Sequence, residues 1–321
     1  MTTQVRSVPA AAPAGGVDPG SVDVHTHLAP ALPGGSEEVG PDALRDPAGL
    51  VAFLDECGTE RALVAVPPPF YRQSLGAGEA ADWTRALNDG LLAAVAGLDR
   101  LAPLAHLPLE HPAVARAELD RVLAEGTVRD GGPWAGFGGP AGGLCGPLDA
   151  PELAELWARV AASGLPVVLH PAHTPDERLN RHYLDNLLGN PVETAVAAGG
   201  LLLGGVLEAN PDLRVALLHC GGVLPAVLGR WQRGVDTDRP GVDPAVVGAG
   251  PRAAARRLFV DTIAHDPGLI DLTLALLGED SMVFGSDWPF PMGSRPRDEL
   301  AHLDPETVRR IGVTNAARLL G

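Results

Sequence analysis

Lysine is missing from this 321-residue chain, and all 24 of its basic residues are arginine. That absence excludes a Schiff base on a lysine side chain and a lysine carbamate bridging two metal ions. Cysteine is nearly as scarce. Cys57, Cys145 and Cys220 lie far apart, with neither zinc-finger spacing nor a disulfide framework, and read as buried, reduced thiols of a cytoplasmic protein. Positive charge is in deficit, since 24 basic against 40 acidic residues leave −16, which disfavours nucleic acid or an anionic membrane surface as partner. A small anionic substrate stays open, because a local metal or arginine outweighs the global field. No apolar run reaches membrane-spanning length, "LLLGGVL" near 201 being short and broken by glycine. The opening "MTTQVRSVPAAAPAGGVDPG" lacks a basic leader with a leucine-rich core, so it is not read as a signal peptide. Its Ala, Pro and Gly content predicts a disordered tail over 1–20, with one folded domain over 21–321.

Within that domain, apolar runs of strand length alternate with longer amphipathic stretches, the pattern of a parallel sheet with helical crossovers. Eight strands are expected: "VDVHTHL" at 22, "RALVAVP" at 61, "RLAPLAHL" at 100, "WAGFGG" at 134, "PVVLHPA" at 166, "RVALLHCGG" at 214, "RLFVDTIA" at 257 and "MVFGSDWP" at 282. The helices between them carry ordinary start and stop signals. "DPAGLVAFLDECG" has an acidic start, Pro47 in its first turn and Gly58 at its end, and "DAPELAELWARVAASG" repeats the design from Asp149 to Gly164. Eight β/α units in about 300 residues predict a single-domain (β/α)8 TIM barrel. A doubly wound open sheet is the alternative, but no glycine-rich phosphate loop follows the first strand.

Chemistry in such a barrel sits at the C-terminal ends of the strands. His25 and His27 end the first strand, His170 the fifth, His219 the sixth and Asp287 the eighth. Side chains at i and i+2 of a strand share a face, so His25 and His27 aim together. Inward imidazoles side by side are poorly satisfied without a metal. Three imidazoles and a carboxylate suit one divalent ion, zinc before manganese, with a coordination position left open.

With those residues in hand, the chain resembles the amidohydrolase superfamily, in the amidohydrolase-2 branch typified by aminocarboxymuconate semialdehyde decarboxylase. The resemblance is carried by "VDVHTHLAP", "GLPVVLHPA", "LLHCGGVLPAVLGR", "LFVDTIAHDP" and "MVFGSDWPFPMG", in that order. It implies that His25, His27, His170 and Asp287 hold the metal, and that His219 is the general base beside it. It also implies a homodimer in which Arg230, eleven residues after His219, crosses the interface to bind a substrate carboxylate. Two departures stand out: the decarboxylases' long insertion after the first strand is missing, and Tyr183 stands where they carry a tryptophan. His173 in "HPAH" and His106 at the end of the third strand are also unusual, which implies a rebuilt substrate pocket around intact metal machinery.

The function implied is decarboxylation of a small conjugated or aromatic carboxylic acid by metal-activated water with a histidine base, the proton being relayed through His219 or Asp287. Hydrolysis of a cyclic amide, imide or lactone on the same site is the alternative, since both reactions use the same activated water. Further substrate-binding candidates are His265 after the seventh strand, and Trp288 and Phe290 as an apolar wall beyond Asp287. Asp261 is a pocket candidate too, while Asp266 and Pro267 read as a helix start.

Overall fold

The computed structural model describes residues 17–32 and 39–321. Most of the expected tail lies outside the described residues, but its last three, Asp18 to Gly20, belong to the first strand. That strand, β1, runs Asp18–His27, followed by β2 Thr59–Ala65, β3 Leu101–His106 and β4 Gly136–Ala141. β5 is Val167–Pro171, β6 Val215–Leu217 and β7 Phe259–Val260. All pair in parallel, in chain order, giving a curled, TIM-barrel-like sheet with helices between its strands.

The eighth expected strand is replaced by isolated bridges, Val260 to Met282 on one side and Asp23 to Phe284 and Thr26 to Trp288 on the other. The reason lies at Asp287. Its backbone sits at φ +56°, a left-handed conformation that interrupts a ladder, while the amides of Ser286 and Asp287 both donate to the His25 carbonyl. The segment therefore stays hydrogen-bonded to β1 and β7 while turning one carboxylate out of register. β4, the glycine-rich segment, is a real strand, and its composition has a steric cause: a Cβ on Gly136 would stand 2.7 Å from the Pro166 carbonyl oxygen.

The helices start where the sequence signals place them. Asp46 accepts from the Gly49 amide at the head of Pro47–Cys57, and Gly58 stops that helix in the left-handed region at φ 63°. Asp266 caps Pro267–Leu277 by accepting from Gly268 and Leu269. One apolar cluster lies between sheet and helices, around Trp134, Trp157 and Phe284. A second, containing Val22, Val24, Leu104, Ala216 and Val283, ties the strands together. Cys57, Cys145 and Cys220 are free and buried, and burial pushes each thiol up to about 12. No helix among the described residues is long and apolar enough to cross a membrane.

Candidate metal centre

The strand ends bring four histidines and one aspartate together. The His25 ring centroid lies 5.1 Å from those of His27, His170 and His219, and His170 is 5.0 Å from His219. Asp287 Oδ1 is 3.1 Å from His25 Nε2 and 3.3 Å from His27 Nε2. One ligand atom from each of His25, His27, His170 and Asp287 lies within 4.8 Å of the others, and all four residues are buried. His219 stands at the edge, its Nε2 3.8 Å from Asp287 Oδ2 and its side chain 16% exposed.

Hydrogen bonds behind the cluster decide how the rings present themselves. Asp261 Oδ2 accepts from His25 Nδ1 at 2.6 Å, and its other oxygen accepts from the amides of Cys220 at 2.7 Å and Ile263 at 3.2 Å. His170 Nδ1 donates to the Pro171 carbonyl at 2.8 Å. Each bond places the proton on Nδ1 and turns the Nε2 lone pair into the cluster, the tautomer a metal requires. Asp23 joins β1 to the Asp287 segment by accepting from the amides of His25 and Ser286, both at 3.1 Å. His219 and Asp287 both adopt positive φ, 56° each, a conformation uncommon for residues other than glycine.

The donor set fits a divalent cation on observations of this chain. His25 Nε2, both His27 nitrogens and Asp287 Oδ1 are buried without a hydrogen-bond partner among the described residues, which is costly unless an ion or water meets them. Burial favours neutral His25, but with no cation between them the carboxylates of Asp287 and Asp261 prevail and raise it to about 10, drawing onto Nε2 a proton that a bound cation would displace. Burial lowers His27, and burial together with the neighbouring imidazoles holds His170 well below the usual range. Burial works to raise Asp287, yet His25, His219 and His27 hold its carboxyl well below ordinary values. An ionised carboxylate among mainly neutral imidazoles is the charge pattern of a single divalent site.

Two cavities open onto this group. The first, about 450 Å³, is lined by His170, His219, Asp287, His173, Tyr183 and Phe290, among others. The second, about 360 Å³, also touches His219 and Asp287 and is walled by Val223, Ile263, His265 and Leu269. Four of the expected substrate residues, His173, Tyr183, Phe290 and His265, therefore line a cavity. Phe290 also meets His27, ring centroids 5.5 Å apart, and His265 Nδ1 is 3.5 Å from Glu299 Oε1.

Trp288 and His106 are not among the lining residues. Trp288 packs 6.4 Å from Phe53, and His106 is buried and stacked on Tyr71 at 4.8 Å. Arg230 is exposed on the helix Leu224–Asp236. Asp261 proves to be a support of His25. Asn186 and Asn190 line both cavities and were not singled out in the sequence; their only signal is the Asn- and Gly-rich "DNLLGNP" ahead of a helix.

The chain is similar to proteins of known activity. The chain is 27% identical over 278 residues to 2-amino-3-carboxymuconate-6-semialdehyde decarboxylase of Dictyostelium discoideum, covering 86% of this chain and 74% of that one. It is 30% identical over 291 residues to gamma-resorcylate decarboxylase of Rhodococcus jostii (strain RHA1), covering 83% and 85%. The fold matches the crystal structure of dihydroxybenzoic acid decarboxylase from Polaromonas sp. JS666, which holds manganese and the inhibitor 2-nitroresorcinol, with a TM-score of 0.76 at 20% identity over 94% of this chain and 96% of that one. The amidohydrolase family model matches residues 22–321, from the strand that carries His25 and His27 to the last residue, and the chain belongs to the amidohydrolase family.

Proposed function

We propose that the protein is a metal-dependent decarboxylase of a small conjugated or aromatic carboxylic acid. The observation that carries this reading is the position of His219, beside the ligand group and on the wall of both cavities. The decarboxylase names of its relatives support it. In this reading His25, His27, His170 and Asp287 hold one divalent ion, zinc by donor chemistry, with manganese the alternative that the Polaromonas enzyme supports. That ion supplies Lewis-acid charge at the substrate's oxygens.

The chain's own residues do the rest. His219, its Nε2 3.8 Å from Asp287 Oδ2, takes a proton as general base and delivers it to the carbon that bears the carboxylate. The bond to the carboxyl carbon then breaks, CO₂ leaves, and its electron pair restores the ring or enamine. Phe290, Pro291 and Met292 supply an apolar wall that limits water, while His173, Tyr183, Asn186 and Asn190 offer hydrogen bonds to ring substituents. His265 faces the neighbouring cavity.

The same reading includes a (β/α)8 closure, supported by the bridges of Met282 to β7 and Phe284 to β1, in one domain that runs from β1 to residue 321. It includes a cytoplasmic location, supported by three unpaired buried cysteines. It also includes a homodimer in which Arg230 of the partner subunit meets the substrate carboxylate. Arg230 is exposed and has no ion-pair partner among the described residues, which supports that role.

The test follows CO₂ release and ring opening together on the metal-loaded chain, with 2-hydroxy and 2-amino aromatic acids, muconate-type acids, lactones and cyclic amides. CO₂ release that His219→Asn abolishes is expected. Ring opening without CO₂ would overturn the reading in favour of a hydrolase. Arg230→Ala should weaken the dimer in sedimentation and raise KM; unchanged mass and unchanged turnover would remove the cross-subunit arginine.

A further inference from the structure

We propose that the substrate carries one carboxylate and an apolar substituent, and that this substituent fills the second cavity, the one walled by Leu187, Val223, Ile263 and Leu269. The inference rests on the decarboxylase reading for the carboxylate and on the cavity itself for the substituent.

The two cavities are branches of one site. Asn186, Asn190, His219, Asp287 and Met292 line both, so a ring reacting beside His219 in the first has a direct opening into the second. At about 360 Å³, the second branch exceeds what solvation of His219 requires and is of the size that binds organic groups. The side chains that it adds to the shared residues are hydrocarbon, with one exception. His265 reaches it, but that imidazole faces Glu299 Oε1 at 3.5 Å, so a nearby carboxylate already answers whatever positive charge it carries.

A second carboxylate finds no partner in either branch. With no lysine in the chain, arginine is the only permanent cation, and no arginine lines either cavity among the described residues. Of the carboxylates there, Asp287 is matched to the divalent ion that faces the reacting group, and Asp185 repels a further anion. A desolvated carboxylate without a counter-charge is strongly disfavoured. Under the homodimer reading, Arg230 of the partner subunit is matched to the reacting carboxylate and leaves none for another.

Apolar side chains at the mouth point the same way. Leu187 and Leu188 stand 51% and 41% exposed on the π-helical turn Asp185–Gly189, and both line the second branch. A hydrocarbon substituent there removes its own surface and theirs from water together.

The experiment uses the full chain loaded with Mn²⁺ and 2-hydroxybenzoic acids carrying hydrogen, methyl, propyl or carboxyl at each open ring position. It measures kcat/KM for CO₂ release and, separately, displacement of a fluorescent ligand by the unreactive nitrophenols with the same substituents. At the position that faces the second branch, each added carbon should improve both readouts, by about fourfold for full burial of a methylene, and carboxyl should rank below hydrogen. Leu269→Gln should cut the propyl-to-hydrogen ratio by about tenfold. Leu187→Asp, a change at an exposed position that the fold tolerates, should cut it by about threefold. A series that is flat at every position, or led by the carboxyl compound, would overturn the proposal. Propyl preference in displacement without CO₂ from any member would support the cavity assignment and remove the decarboxylase reading instead.

Discussion

Replacing Asp261 by asparagine should cost metal affinity although Asp261 touches no metal position. Its carboxylate is fully buried and works on two edges: Oδ2 accepts from His25 Nδ1 at 2.6 Å, and Oδ1 accepts from the amides of Cys220 and Ile263. Asparagine keeps the shape but has only one acceptor oxygen. If that oxygen stays on the two backbone amides, the new NH₂ faces His25 Nδ1, which must then accept. The imidazole proton moves to Nε2, the atom aimed at Asp287 and the ligand group. Loss of such a support typically costs 10- to 100-fold in metal affinity, or about 1.4 to 2.7 kcal/mol. Competition against a chelator of known strength, with Zn²⁺ and Mn²⁺ on the full chain, reads this directly. Circular dichroism separates it from unfolding, and Asp176→Asn, at a carboxylate paired only with exposed Arg178, serves as the control. Wild-type affinity in folded Asp261→Asn would refute the tautomer argument.

His219→Gln should retain stoichiometric metal while turnover falls by about 10² to 10⁴; metal analysis beside a rate assay checks both halves. His106 supplies a pH-dependence with a definite sign. Burial lowers its pKa from 6.5 to about 4, so between those values the unfolded chain binds the proton and the folded chain does not. Stability should therefore fall as pH drops from 6.5 towards 4, by roughly 3 kcal/mol from this group. Urea unfolding of His106→Leu across that window should show a shallower slope than wild type, and equal slopes would refute it. Gly136→Ala forces a Cβ to within 2.7 Å of the Pro166 carbonyl and should destabilise the fold by about 1 to 3 kcal/mol, visible as a lowered urea midpoint.

Much of the fold was legible because its signals are local. Periodicity located β1 to β7, and caps such as Asp46 and Asp266 work on amides two or three residues away. The eighth strand was the exception. "MVFGSDWP" has strand composition, but the positive φ at Asp287 and the amides drawn to His25 O are consequences of tertiary neighbours that composition does not encode. Likewise β1 begins at Asp18, ahead of the expected Ser21, because Asp18 pairs with Thr59 and its amide donates to the Gly58 carbonyl.

The division is clearest at the site. His25 and His27 were readable as a pair because a strand's two-residue period sends both to one face, a constraint that acts over three residues. The addition of His170, His219 and Asp287 followed from the order of strand ends in a parallel sheet. What lies behind and above the group was not readable. Asp261 reaches His25 across 236 positions of chain, Trp288 turns to Phe53, and His106 stacks on Tyr71, all through packing between distant segments. The sequence by itself determined the ligand types and their placement at strand ends, since residue chemistry and backbone period are local properties. Tautomer, charge balance and the shape of the two-branched cavity were decided only by the tertiary structure, because each depends on which remote side chains come within a few ångströms of one another.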